Sequence, residues 1–374
     1  MANTLTDLAP TLFSAAKDVA AEPFGAVSAI NASFDDKGVA KGDNVTVQVA
    51  PTRSASDFTP AATTSTGTDA TAEAIQVQIT KSRKVSWHLT GEQQRSLDNG
   101  ASSTEWIRQL VAQGMRTLRN EAEADCITAI KTGASRATGT AGTNPFASAL
   151  TTLADARKIL RDNGAPMADL QFVGDSTSEA NLLKLGVVLD AGIAGSDAER
   201  RSGIIRRQYG FEMRTSGQIG AHTKGTGTSY QLSAAGAVGD RTINVDTGSG
   251  TLLAGDIVTF AGTSHKYVAN SALSGGIFTI GRPGLLAVEA DNDAITIGND
   301  YTPNLCFERN AVVGVMRPPL MPANPTIQQM LISDQFGMTY LMLDISQYGQ
   351  RTWELHLAWG FKAVNGEFIA ILLG

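Results

Sequence analysis

Cysteine is almost absent from this chain: Cys126 and Cys306 are the only two in 374 residues. So small a number excludes a disulfide framework, and the pair matches no metal-ligand spacing, so both read as reduced thiols. Histidine is as scarce. His88, His222, His265 and His356 are dispersed, none beside another His or Cys at zinc-ligand spacing, and each reads as an ordinary strand or loop residue. Charged residues make up 18% against 42% hydrophobic ones, and 36 acidic against 30 basic side chains leave a net charge of −6. No global positive field is therefore available to hold nucleic acid by counterion release. No stretch reaches the ~18 apolar residues of a membrane span. The start, Met1-Ala2-Asn3-Thr4-Leu5-Thr6-Asp7, lacks the basic residues and apolar run of a secretory signal, so folding in a cytoplasm, away from membranes, is expected.

The signatures of catalysis are missing as well. The nearest approach to a Gly-x-Ser-x-Gly elbow, Gly174-Asp175-Ser176-Thr177-Ser178, has no second glycine, and Ser176 reads as the N-cap of a following helix. Gly225-Thr226-Gly227 lacks the third glycine of a dinucleotide fingerprint, and no phosphate-binding loop motif occurs. Asp291, Asp293 and Asp300 come without the glycine and terminal glutamate of a calcium loop and read as an acidic turn. No catalytic residue, cofactor or metal is expected. Two rival readings are a hydrolase with scattered catalytic residues and a β-rich surface or carbohydrate-binding module; the missing signal and a long helix oppose the second.

What is present is a strong element pattern. At ~100–200 residues per domain the length allows two or three folding units. Leu8, Leu12, Ala16 and Val19 recur at helical spacing until Pro23 and Gly25. Residues 24–43 show neither period and suggest an extended arm that borrows its partners. Val45, Val47 and Val49, then Ile75, Val77 and Ile79, alternate with polar residues, the second strand running on through Val85, Trp87 and Leu89. The polar gap at 51–71 has too little apolar surface for a core, so the pair reads as a long hairpin with a polar tip. Ser102-Ser103-Thr104-Glu105 then opens a capping box, and Ile107, Val111, Met115, Leu118, Ala122, Cys126 and Ile130 form one stripe. A helix of ~30 residues, some 45 Å long at ~1.5 Å per residue, is predicted, with Gly133 as its C-cap.

After a Gly/Thr/Ser loop at 132–143, helices are predicted at 149–163 and 178–185, a buried strand at 170–173, and a strand and turn at 203–214. Helical periodicity stops near Ala221. Short strands at 230–233, 242–245, 257–260, 266–269, 277–280 and 294–297 suggest a small β-barrel or sandwich. Strands at 311–316, 338–345, 353–361 and 368–373 close the chain, with Trp353, Trp359 and Phe361 as core residues.

The order of these parts resembles the major capsid proteins of tailed bacteriophages, with the α+β Hong Kong 97-type fold. The start Asn3-Thr4-Leu5-Thr6-Asp7-Leu8-Ala9-Pro10 and the segment Glu22-Pro23-Phe24-Gly25-Ala26-Val27 are similar to podovirus-type coat proteins carrying an inserted β domain. So are Leu252-Leu253-Ala254-Gly255-Asp256-Ile257-Val258-Thr259-Phe260-Ala261-Gly262 and the endings Ala358-Trp359-Gly360-Phe361-Lys362-Ala363-Val364 and Glu367-Phe368-Ile369-Ala370-Ile371. The resemblance implies an N-terminal arm (1–41) lying on a neighbour and an extended β-hairpin loop (42–90). It then implies a spine helix with peripheral domain (91–148), an axial domain (149–220), an inserted β-barrel domain (221–299) and return strands of both domains (300–374).

It also implies self-assembly into pentamers and hexamers of an icosahedral shell around a double-stranded DNA genome, in a virion assembled in the host cytoplasm. Portal, scaffolding and decoration proteins would be further partners, and packaged DNA a non-specific one. A basic cluster, Arg200-Arg201 with Arg206-Arg207, and the pair Arg83-Lys84 are candidates for subunit contact.

Overall fold

The computed structural model describes residues 25–34, 39–49, 73–99, 103–185, 207–321, 327–333 and 338–374. The predicted helix at 6–21, the hairpin tip at 51–71, Arg200, Arg201 and Arg206 lie outside them. The order begins α1 (Gly25–Ala29), β1 (Asn31–Phe34), β2 (Asn44–Val49), β3 (Glu73–Gln78), β4 (Lys81–Thr90), α2 (Gly91–Asn99), α3 (Ser103–Gly133) and β5 (Arg136–Gly139). It continues with α4 (Thr151–Asp162), β6 (Leu170–Gly174), α5 (Ser176–Lys184), β7 (Arg207–Gln208), β8 (Phe211–Thr215), β9 (Tyr230–Gln231), β10 (Thr242–Asn244) and β11 (Ile257–Phe260). Then come β12 (Lys266–Val268), β13 (Ile277–Thr279), β14 (Ala294–Ile297), β15 (Pro303–Glu308), β16 (Val312–Arg317), β17 (Ile327–Ser333), β18 (Thr339–Gln347), β19 (Gln350–Ala363) and β20 (Ile369–Leu373).

Two sheets meet on the long helix. One runs β1-β16-β19-β18-β17 with β4 also paired to β19; the other runs β7-β8-β6-β15-β20-β5-β12-β11-β14-β9. The predicted stripe is buried: Val111, Met115, Leu118, Ala122, Cys126 and Ile130 share one core with Trp353, Leu355, Leu357 and Trp359 of β19. Ile369, Ile371 and Leu373 of β20 join that core, whereas Ala370 and Leu372 point the other way, onto Leu153, Ala156 and Leu160 of α4. Strand alternation thus explains why the last strand is apolar at every position: each face is covered. At roughly 1.5–3 kcal/mol for each fully buried large aliphatic or aromatic side chain, this shared core dominates the energetics of the body.

Residues 25–34 do not behave as the predicted partnerless arm. Ala26, Val27, Ala29 and Ile30 are buried in the main core, and β1 pairs in parallel with β16, Asn31 opposite Val313 and Phe34 opposite Met316. The cause is a buried carboxylate. Glu123 of α3 accepts the backbone N–H groups of Ala26 and Val27 at 2.6 and 2.9 Å, satisfying donors at the start of α1 that five residues of helix cannot satisfy internally. Burial pushes the Glu123 carboxyl above its ordinary range, against the opposing pull of those two bonds, of Ser216 and of Arg119.

The strand predicted to run unbroken from 75 to 89 is two strands in two sheets. Among the described residues β3 pairs only with β2, whereas β4 pairs with β19 along its whole length, Lys81 opposite Trp359 and Thr90 opposite Gln350. The switch falls at Ile79 and Thr80, whose N–H groups go to Asp43 and Trp359 respectively. There the chain crosses directly over Gly360, where a Cβ would lie 2.0 Å from the Gln78 carbonyl oxygen. The hairpin base is anchored within the chain, Val77 and Ile79 packing with Val313, Val315 and Ala358.

The loop predicted at 132–143 contains β5, whose four residues are too few and too polar to show a period. It is the link between regions, parallel to β20 on one side and antiparallel to β12 on the other. Of the strands of 230–297, β12, β11, β14 and β9 therefore continue the ten-stranded sheet, while β10 and β13 pair with each other in a separate two-stranded sheet. Their own core is formed by Tyr230, Ile243, Val258, Phe260, Tyr267, Phe278 and Ile295. Replacing Glu123 with alanine leaves two buried N–H groups unpaired, and a loss of ~2–4 kcal/mol is expected. Thermal melting of Glu123→Ala beside the parent chain measures it; an unchanged melting temperature would show that α1 is held by its apolar contacts alone.

Candidate assembly surfaces

Arg83 and Lys84 of β4 face opposite sides, as neighbours on a strand must. Arg83 turns to the long helix, Nε 2.9 Å from Glu121, beside Lys81, which reaches Glu121 at 3.2 Å and Asp125 at 2.9 Å. Asp125 also accepts the indole N–H of buried Trp359 at 2.8 Å, so this ion cluster is tied to the core. Lys84 turns the other way, to Glu354 at 2.7 Å, and Glu354 reaches His356 at 3.0 Å. Both Arg83 and Lys84 keep just over half of their side chains exposed. Burial works to raise the Glu354 carboxyl, but the bonds from Lys84 and His356 outweigh it and hold the group below its usual range. Burial pulls the His356 imidazole down, against the opposing effect of Glu354.

Arg207 lies on β7, at one end of the ten-stranded sheet, exposed and donating to the carbonyls of Gly210 and Ala168. It is thus placed on a different sheet from Arg83 and Lys84. Apolar side chains are presented at several points: Tyr348 fully exposed at the β18–β19 turn, Leu331 half-exposed on β17, Leu320 before it, and Val238 and Val288 in the region of short strands. β17 pairs only with β18 among the described residues. A seven-residue edge strand with neither charge nor proline lacks the usual protection against pairing with another chain.

The serine considered as a nucleophile has a structural place. Ser176 is the first residue of α5, and the cap is Asp175, whose carboxylate accepts the N–H groups of Thr177 and Ser178; the predicted cap was one residue late. Cys126 and Cys306 are buried free thiols, and burial pushes both upward, away from the reactive thiolate. Two of the strand and loop histidines have partners the sequence does not show. His356 has its carboxylate partner, and His222 is buried between Lys131, at 3.1 Å, and Asp256, at 2.8 Å. Nothing in the sequence joins three residues so far apart.

No family model matches the sequence, and no curated protein matches it. Solved structures do. One from Mycobacterium phage Che8 superposes with a TM-score of 0.50 at 12% identity, over 89% of this chain and 85% of that one. The chain has the Hong Kong 97-type capsid fold. The cyanophage P-SCSP1u capsid gives 0.49 at 12% identity, over 92% and 86% of the two chains. The mature capsid of bacteriophage PhiM1 gives 0.47 at 11%, over 92% and 85%.

The Lys84–Glu354 pair gives a signed pH expectation. A carboxyl held below its usual value contributes stability above pH ~4.5 that is lost as pH falls through the depressed folded-state value. Lys84→Ala should therefore melt slightly below the parent at neutral pH, by less than ~1 kcal/mol because the lysine is half exposed. The two curves should merge as pH falls through the depressed folded-state value, below which the carboxyl is protonated in both. A gap that widens in acid would contradict this assignment.

Proposed function

We propose that this chain is the shell-forming subunit of a tailed-phage capsid, a major capsid protein that self-assembles around a double-stranded DNA genome and works by association, not catalysis. The observation that carries the reading is the match of fold along almost the whole chain, 89% of it, with the phage Che8 structure. A hairpin and a strand that each pair in a sheet on one side only among the described residues suit the same role.

On this reading α3 is the spine of a peripheral domain built on the β19 sheet. The ten-stranded sheet with α4 and α5 is the axial domain around pentamer and hexamer centres, and residues 221–299 are an inserted β domain. The hairpin of β2 and β3 is the extended loop; β4 belongs to the peripheral sheet. Residues 1–24 take over the role of the arm, since 25–34 belong to the body. Arg83, Lys84, Arg200, Arg201, Arg206 and Arg207 remain the proposed subunit contacts, with portal, scaffolding and decoration proteins as further partners and packaged DNA a non-specific one. The place of action is the virion, assembled in the host cytoplasm. Obligate interfaces bury ~2,000 Å² or more, and many such repeated contacts give a closed shell its collective stability.

Negative-stain electron microscopy of the purified chain tests this. Closed particles of uniform size are expected from the full chain, and none from a chain lacking residues 1–24, whose melting temperature stays that of the parent subunit. Only dispersed subunits from the full chain, with or without a scaffolding protein, would count against the shell reading.

A further inference from the structure

A cavity of about 700 Å³ lies open to solvent where α4, β5 and the inserted region come together. The most deeply buried charge on its lining is Arg136 of β5, 7% exposed. Nη2 of that guanidinium is tied down: it donates to Oδ1 of Asn163 at 2.8 Å and to the Ile159 carbonyl, in the last turn of α4, at 3.3 Å. Asn163 is fixed in turn, since its Nδ2 donates to the Glu367 carbonyl at 2.7 Å and its oxygen is left for the arginine. Closing the end of α4 therefore accounts for one nitrogen of three. Nε is buried without a partner, and Nη1 makes no hydrogen bond among the described residues. Unmet donors on a buried cation are costly, and burial already pulls the Arg136 guanidinium below its ordinary value, with Asp162 opposing.

The rest of the lining decides what could meet that need. Asp155, Lys158 and Asp162 recur at helical spacing on α4, all exposed, and none makes an ion pair among the described residues. From the inserted region Lys266 lines the cavity with its ammonium donating to the Gly139 carbonyl. Three cations, Arg136, Lys158 and Lys266, thus outnumber the two carboxylates by one. A single negative charge balances such a lining, whereas a polyanion would be repelled by Asp155 and Asp162. Ile159 on one side and Leu286 on the other add apolar surface, which suits a ligand with an apolar body behind its charged group.

We propose that this cavity binds a monocarboxylate with a short apolar body, its carboxylate accepting from Nη1 of Arg136 with Lys158 on the solvent side. The guanidinium is held in place by Asn163 and the Ile159 carbonyl before the ligand arrives, so little ordering is needed on binding. A free short-chain acid and the C-terminal carboxylate of an apolar peptide offer the same chemistry, and the test separates them. The cavity lies within one chain and does not depend on the shell reading.

Saturation-transfer NMR on the full chain, at low salt and about pH 8 to stay above the ordinary range of imidazole because His265 also lines the cavity, reads the binding. The probes are butyrate, N-acetyl-alanyl-leucine with a free C-terminus, and n-butylamine. At least one of the two carboxylates should bind, the tighter one naming the source, and n-butylamine should not. Arg136→Met should weaken binding at least ~10-fold. Lys158→Glu should weaken it ~2–5-fold and Asp155→Asn strengthen it by a similar factor, both at exposed positions that leave the fold intact. These two variants decide the matter if Arg136→Met does not fold. Absence of a signal from either carboxylate overturns the proposal, as does an affinity unchanged in Lys158→Glu and Asp155→Asn, or inorganic phosphate, a dianion at this pH, displacing butyrate at a lower concentration than butyrate itself requires.

Discussion

One contact holds the molecule together: the apolar face of the 31-residue helix α3 against two sheets at once. Met115 and Leu118 look onto the β19 sheet, and the same stripe meets Ile369 and Ile371 of β20. Neither sheet could bury its inner face without that helix. Other arrangements are referred to it: Glu123 draws α1 into place, Asp125 fixes Trp359 and Lys81 of β4, Glu121 takes Lys81 and Arg83, and Lys131 reaches the inserted region. The acids and the base at 121, 123, 125 and 131, beside the apolar stripe, are therefore its attachment points.

This division explains which parts are complete within one chain. The helix, both sheets and the segment 25–34 share continuous cores. The hairpin is complete only at its base, where Ile79 and Val77 are buried, and its two strands pair with each other alone among the described residues. A two-stranded ribbon is marginal in water. Such a segment gains order by lying on another surface, and in a shell that surface is another copy.

How much could be read from the sequence follows from the same physics. Long elements with a clean period were legible: α3, and strands such as Ile257–Phe260 and Ala294–Ile297, fall where alternation places them. Elements defined by distant partners were not. β5 is four residues without a pattern and exists because β20 and β12 flank it. α1 exists because a glutamate about a hundred residues away supplies its cap, so the sequence around Gly25 reads as arm. The break between β3 and β4 leaves no local mark except Gly360, on the far side of the contact. Sites fare the same way: Arg83 and Lys84 could be picked out as charges, but the partners that occupy them, Glu121 and Glu354, come from other elements. The cluster at His222 was invisible for that reason too.

The central claim is that a self-sufficient frame built on α3 carries a hairpin completed by neighbours. Limited thermolysin digestion of dispersed subunits, compared with assembled particles, addresses it directly. Cleavage in the hairpin span 44–78 and in the proposed arm 1–24 in the dispersed state, with the 103–133 helix intact, and resistance of both after assembly is the predicted result. A hairpin as resistant in the dispersed subunit as in the particle would contradict the account.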